Sequence, residues 1–257
     1  MPTIISHFYN EQYLLPWWLK HHTQIFEHGI LINRGSTDKS VAICKKFAPH
    51  WEVRNSTCPE FDALEVDREV MRIESEVPGW KMALNTTEFL CIPSRDHFFH
   101  SLNVLGHHMY NIRSIFLIDD PKFGYRDPIY NIPLVRQRHH GIFPGVDQPV
   151  YTSGRFIHRF ENGQYMAGRH LTYHPSVPHP GPALILKFMF SPWNDAMRRR
   201  KLQIGPTLSA NSIQQSMGVH HLLSAAQLEG AYKHYAASTE DLRYHPEYQR
   251  VFGEMQP

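Results

Sequence analysis

A chain of 257 residues, 42% hydrophobic and 19% charged, carries enough apolar side chains for a buried core and is not the composition of a disordered polymer. A formal net charge of +2 gives no support to a global attraction for nucleic acid or a membrane surface, so neither is expected as a partner. No apolar run reaches the roughly 18 residues of a membrane span. The opening MPTIISHFYNEQ lacks the basic start and apolar stretch of a signal peptide. Three irregularly spaced cysteines, Cys44, Cys58 and Cys91, suit a reducing compartment, and a cytoplasmic protein is expected.

Residues 3–9 form a short β-rich run that ends at Asn10-Glu11. Residues 14–25 read as a helix, with Pro16 tolerated in the first turn, and Gly29 breaks the pattern. Ile30-Leu31-Ile32 is an apolar strand of the kind buried on both faces. Gly35 and Ser36 make a turn and a cap, and residues 41–47 continue as a helix. Residues 51–54 form a third strand. Residues 61–77 carry Val66, Val70, Ile73 and Val77 at roughly helical spacing and stop at Pro78-Gly79. Residues 80–84 form a fourth strand. Beyond them, 112–118 is expected as one strand, and 119–154, with five prolines and four glycines, as a long irregular loop. Residues 154–173 read as a hairpin turning at Glu161-Asn162-Gly163. A strand over 183–190, a basic helix over 193–204 and a helix over 224–235 complete the pattern.

Alternating strands and helices imply βαβ units and a mainly parallel sheet, with ligands gathered at the carboxyl ends of the strands. Three polar clusters fall there: Asn10-Glu11, the run Asn33-Arg34-Gly35-Ser36-Thr37-Asp38, and Asn85-Thr86-Thr87-Glu88. Each alone is also an ordinary capped turn; their convergence points to a site. Asp119-Asp120 ends the 112–118 strand and suits either a reactive carboxylate or an exposed turn before proline. Arg198-Arg199-Arg200-Lys201 suits a phosphate or a solvated helix face. The 19 histidines include four adjacent pairs, but neighbours on a regular element point apart. His170, His174 and His179 are the one loose constellation that would bring three imidazoles together.

The strings HFYNEQYLLPWWLKHH and HGILINRGSTDKS resemble the start of a family-2-type glycosyltransferase with the GT-A fold, in which one strand ends in Asn-Glu and another in Asp-x-Gly-Ser-x-Asp-x-Ser. Asn10, Glu11, Gly35, Ser36, Thr37, Asp38 and Ser40 match, and Asn33 stands where the family has Asp. WKMALNTTEFLCIP resembles the strand that carries the family's Asp-x-Asp-Glu-Phe; Glu88 and Phe89 match, while Asn85 and Thr87 replace both aspartates. More weakly, YMAGRHLTYH resembles a later Gly-x-His segment, at Gly168 and His170. ALILKFMFSPWNDAMRRRKLQIG resembles a segment in which a histidine ends a strand; Lys187 falls there.

The resemblance implies an α/β fold: a single GT-A-like, Rossmann-type domain over 1–257 with a central, mainly parallel sheet flanked by helices. Residues 1–118 would be the nucleotide-sugar half, and 119–257 the acceptor-side half with the C-terminal helices. It implies a glycosyltransferase that moves a sugar from a nucleotide-diphosphate donor to a glycan or other hydroxyl acceptor, inverting and metal-independent. The alternative is a degenerate member that binds a nucleotide sugar or glycan without turnover. Donor binding is assigned to Asn10, Glu11, Asn33, Asp38, Asn85, Thr87 and Glu88. Asp119 or Asp120 would be the general base, with Asp147 next and the 119–154 loop forming an acceptor wall with His170. In the family a divalent cation stabilises the leaving diphosphate; such hard ions want carboxylate oxygens. With both aspartates missing, Mn2+ or Mg2+ is disfavoured, no cofactor or metal ligand is expected, and Lys187 is assigned to the leaving diphosphate in its place.

Overall fold

The structure, a computed structural model, describes residues 1–144 and 154–253. The first half runs β1 (Thr3–Phe8), α1 (Leu15–His22), β2 (His28–Asn33), α2 (Ser40–Phe47), β3 (Glu52–Asn55), α3 (Ala63–Ser75), β4 (Lys81–Ala83), β5 (Glu88–Cys91) and α4 (Arg95–Val104). It continues through β6 (Met109–Ile112), β7 (Ser114–Ile118), β8 (His140–Ile142), β9 (Arg155–His158), β10 (Val177–Pro178) and β11 (Leu184–Phe190). The last part holds α5 (Asp195–Leu202), α6 (Ala210–Gln214), α7 (Ala225–Ala236), β12 (Glu240–Asp241) and α8 (Pro246–Phe252).

The central sheet is mainly parallel, as the alternation implies. Its order is β10-β6-β9-β4-β1-β2-β3. β1 pairs in parallel with both β2 and β4, and β2 with β3; β9 is inserted antiparallel between β4 and β6. Side chains on successive strand residues leave by opposite faces, and helices cover both. Ile4, Phe8 and Leu31 pack with Leu15, Trp18 and Leu19 of α1. Ile5, Ile30 and Ile32 pack with Val70 and Ile73 of α3. Gly29 lies against the Trp51 ring, where a Cβ would come within 2.3 Å of ring carbon. That close approach, and not only the end of a helix, is what a glycine there permits.

Two strand assignments change. Residues 112–118 are not one strand: β6 ends at Ile112, β7 begins at Ser114, and the two belong to different sheets. Arg113 turns the chain between them, anchored to Glu247 at 2.6 Å and to the Pro144 carbonyl at 2.5 Å. The smaller sheet, β12-β8-β7-β11-β5, is largely antiparallel, with β7 and β11 its parallel pair. Nor is 154–173 a hairpin. β9 pairs with β4 and β6, while the chain after Gly163 folds back through a single bridge between Tyr165 and Thr172.

Helix α1 locks β5 to the central sheet. The Trp18 indole N–H donates to the carbonyls of Asn85 and Glu88, at 3.1 and 2.9 Å. The His22 ring bridges the Trp18 carbonyl and the Leu90 amide, at 2.9 and 3.2 Å, and complete burial pushes its pKa well down. A neutral ring with Nδ1–H donating and Nε2 accepting fits both partners. No helix among the described residues is long and apolar enough to cross a membrane.

Candidate active site

The residues after β1 and β2 first satisfy one another. Asn10, in a left-handed conformation at φ 51°, accepts through its side-chain carbonyl from the amides of Thr37 (2.8 Å) and Asp38 (3.3 Å). Its own amide donates to the Ser36 hydroxyl at 3.0 Å, and the Glu11 amide to the Ser40 hydroxyl at 2.8 Å. Asp38 accepts from the amides of Gln12 and Ser40, and Asn33 accepts from the Ser36 amide at 2.9 Å. The matched motif therefore closes two turns against each other, and Asn10, Asn33 and Asp38 are not among the residues lining the adjacent cleft.

That cleft, about 690 Å3, opens at the carboxyl ends of the central strands. It draws Glu11, Asn85 and Thr87 from the first half of the chain and His170 and Lys187 from the second. Among the described residues, six arginines and lysines line it, Arg34, Arg155, Arg169, Lys187, Arg200 and Lys201, against two carboxylates, Glu11 and Asp67, with Glu88 fully buried. Three arginines take the three carboxylates. Arg200 grips Glu11 through two hydrogen bonds of 2.5 Å. Arg155 grips Glu88 at 2.7 and 2.9 Å. Arg169 pairs with Asp67, whose other oxygen accepts from the Gly168 amide. The two bidentate pairs, Arg200 with Glu11 and Arg155 with Glu88, suit arginine's fork geometry.

Arg34, Lys187 and Lys201 are left over. Arg34 lies over the Tyr9 ring at 4.5 Å, donates to the Thr207 hydroxyl at 3.1 Å, and has a buried Nη1 with no hydrogen-bond partner among the described residues. The Lys187 ammonium is 3.8 Å from Glu88, a carboxylate already held by Arg155. Lys201 lies 4.4 Å over the Phe190 ring and makes no ion pair with a described carboxylate. Burial works against the charged form at both lysines: the pKa of Lys187 is lowered, and that of Lys201 is pushed down to about 7 by burial and by the neighbouring Arg200 and Lys187 charges. His170 lines the same wall; burial, with the Arg155 and Lys187 charges, pushes its pKa down to about 3, so its ring is neutral at pH 7.

As a donor set for a hard dication this corner is poor. Burial alone would raise the Glu88 carboxyl, but Arg155 and Lys187 hold it at about 2, and both its oxygens face guanidinium nitrogens. The Asn85 side-chain carbonyl, a neutral donor, already accepts from Arg169 at 2.8 Å. Ligands that are neutral or spoken for by cations do not suit Mg2+ or Mn2+.

On the acceptor side, Asp119 is buried and fully engaged. It accepts from the Ser191 hydroxyl at 2.6 Å and the Trp193 amide at 2.8 Å, and Arg138 stands 3.1 Å away. These contacts hold the turn that launches α5, the helix carrying Arg200 and Lys201 into the cleft. Asp120 accepts from the Lys122 amide at 2.8 Å and is likewise absent from the cleft lining. The described part of the 119–154 loop packs elsewhere: Tyr130, Ile132 and Leu134 border a separate cavity of about 340 Å3 against Trp17 and Phe47. Asp147 lies outside the described residues.

The basic helix divides by residue. Arg198 pairs with Asp195 and Glu229, Arg199 is exposed, and only Arg200 and Lys201 line the cleft. Sequence reasoning assigned no role to Arg34, Arg155 or Arg169, since isolated arginines carry no spacing signal, although Arg34 lies in the Asn33–Asp38 cluster and Arg169 inside the Gly168–His170 match. The three spaced histidines separate: His174 stacks on Phe160 at 3.8 Å and His179 lies against Phe98 at 5.1 Å, away from His170. An adjacent pair does converge, since His139, His140 and Asp241 bring ligand atoms within 4.8 Å of one another. There Arg243 already holds both Asp241 oxygens, at 2.6 and 3.0 Å.

No protein-family model and no curated protein matches the chain. Among solved structures it is similar to S. aureus TarS in complex with UDP-GlcNAc, at 11% identity over 80% of this chain and 66% of that one, TM-score 0.41. TarS in complex with UDP aligns at 14% identity over 62% of this chain and 46% of that one, TM-score 0.37. Glucosyl-3-phosphoglycerate synthase from Mycobacterium tuberculosis, in complex with Mn2+, UDP and glucosyl-3-phosphoglycerate, aligns at 13% identity over 62% and 56%, TM-score 0.36. The aligned region spans less than two thirds of each of these three chains.

Proposed function

We propose that this chain is a metal-independent glycosyltransferase that takes a sugar from a nucleotide-diphosphate donor to a glycan or other hydroxyl acceptor. One observation carries the reading. After three arginines have paired with three carboxylates, the cleft at the strand ends keeps Arg34, Lys187 and Lys201 without a carboxylate of their own among the described residues. A cleft with that surplus of buried positive charge calls for a compact polyanion, and a diphosphate supplies one. In the transfer, the bond from the anomeric carbon to the acceptor oxygen forms as the bond to the diphosphate breaks, and the leaving group takes the electron pair. Lys187 stabilises that charge where the resemblance expects a metal ion. The general base is drawn from Asp120 and Asp147: every oxygen of Asp119 is occupied, and Asp120, which does not line the cleft, would have to reach the acceptor from outside it.

A second reading has its own support. Each carboxylate that lines or underlies the cleft is held by an arginine, which leaves none of the three free to take a proton. A binder of nucleotide sugars without turnover would look like this. Incubation with a panel of nucleotide sugars and acceptors in excess chelator separates the two. Released nucleoside diphosphate that disappears in Lys187→Ala supports transfer; binding without release supports the degenerate reading; a requirement for added Mn2+ or Mg2+ defeats metal independence.

A further inference from the structure

Lys201 is anomalous among the cations of the cleft. It ends α5, half-buried, with its ammonium over the Phe190 ring of β11. The charged and titratable groups that face it are almost all positive or able to become so: Arg200 on its own helix, Lys187 on β11, and His220 and His221 from the turn before α7. Tyr235 of α7 lines the same cleft. Among the described residues the one acid that acts on it, Glu11, spends both oxygens on Arg200. An ammonium so placed has lost water without gaining a counter-ion, and it does best by shedding its proton until an anion arrives.

Resting on the donor reading above, we propose that Lys201 is a proton-coupled anion receptor: lacking a counter-ion in the empty cleft, it takes up one proton when a diphosphate enters and then serves, beside Lys187, as a second cation on the phosphates. The linkage follows directly. Its pKa in the empty cleft is lowered to about 7, and a bound polyanion raises it, so between these two values binding carries a proton with it and affinity falls as pH rises. His220 and His221 have pKa values lowered below the ordinary histidine value of 6.5, so they are neutral in the empty cleft in this window. The terminal phosphate of a nucleoside diphosphate, whose second ionisation lies near about 6, is also ionised there, so the proton count is read with the three nucleoside diphosphates and inorganic pyrophosphate serves as a probe of binding.

The test is titration calorimetry at about pH 8 with inorganic pyrophosphate and with uridine, guanosine and adenosine diphosphates, in excess chelator. Repeating it in two buffers of different ionisation enthalpy gives the number of protons taken up. The expected result is about one proton per nucleoside diphosphate in the wild type, and none in Lys201→Arg or Lys201→Met. Lys201→Arg, permanently charged, keeps its affinity as pH rises from about 7 to 9, while Lys201→Met binds weakly throughout. Binding with no proton uptake in the wild type, or uptake that persists in Lys201→Met, overturns the role of Lys201 and leaves the donor reading standing. A folded wild-type protein that binds none of the four probes overturns both.

Discussion

The floor and the wall of the cleft use the same residue types in opposite ways. In the floor, Arg155 and Glu88 are buried together, each satisfying the other. On the wall, Lys187 and Lys201 stand beside other cations, and burial works against the charged form of both. A charge buried with its partner supports the fold, whereas one buried without a partner weakens the empty protein and is stabilised only by a ligand. The contrast assigns the arginine pairs to architecture and the lysines to binding, and each assignment can be broken separately.

The largest effect belongs to the floor. Arg155→Met strands the Glu88 carboxylate, and a loss of about 3–5 kcal/mol is expected in urea unfolding at neutral pH. The pH dependence has a definite sign. Glu88 is depressed from 4.5 to about 2, so its contribution is complete above 4.5 and is lost as pH falls toward 2. The variant's acid transition should therefore start at higher pH than that of the wild type. An unchanged transition would mean that the pair does not hold the floor.

Lys187→Ala should show the converse. Diphosphate affinity in chelator is expected to fall about tenfold or more, some 1.4 kcal/mol, with unfolding free energy nearly unchanged because Arg155 still neutralises Glu88. A large stability loss with intact affinity would move Lys187 from the wall to the floor.

A smaller effect tests the turn between β1 and β2. Asn33→Ala removes one hydrogen bond to the Ser36 amide and should lower stability by about 1 kcal/mol. Nucleotide affinity should stay within about twofold, well under 1.4 kcal/mol. A selective loss of affinity would restore Asn33 to the donor site proper.

The smallest effect is a gain. The Lys201 ammonium, lowered from 10.5 to about 7, burdens the empty protein at pH values below 7, and the burden disappears as pH rises through this window. Lys201→Met should raise the melting temperature by about 1–3 °C near pH 6, and by less near pH 9. A variant less stable at both would show that the ammonium makes structural contacts.

Much of the architecture was legible from local pattern. Ile30-Leu31-Ile32 read as a strand buried on both faces and lies in β2 with zero exposure at all three residues. Apolar spacing over 61–77 located α3, although the polar face of that helix, with Asp67, Glu69 and Glu74 turned inward onto Arg169, His7 and His158, left no mark in the pattern. The break at Arg113 was invisible because both flanks are equally β-prone; pairing with different sheets decided it.

The sequence by itself determined where most strands and helices of about the first ninety residues fall and that polar residues collect at the strand ends, because apolar period, capping and turn chemistry act over a few residues. Only the tertiary structure decided which of those polar residues face a ligand. Asn10, Asn33 and Asp38 are spent on one another, and Asp119 on the start of α5. The charge of the cleft comes from pairs such as Arg155 with Glu88 and Arg200 with Glu11, joined across 67 and 189 residues. Whether a cation is paired or left over depends on what folding brings beside it: for Lys201 folding brings other cations, and for Lys187 it brings a carboxylate that Arg155 already holds.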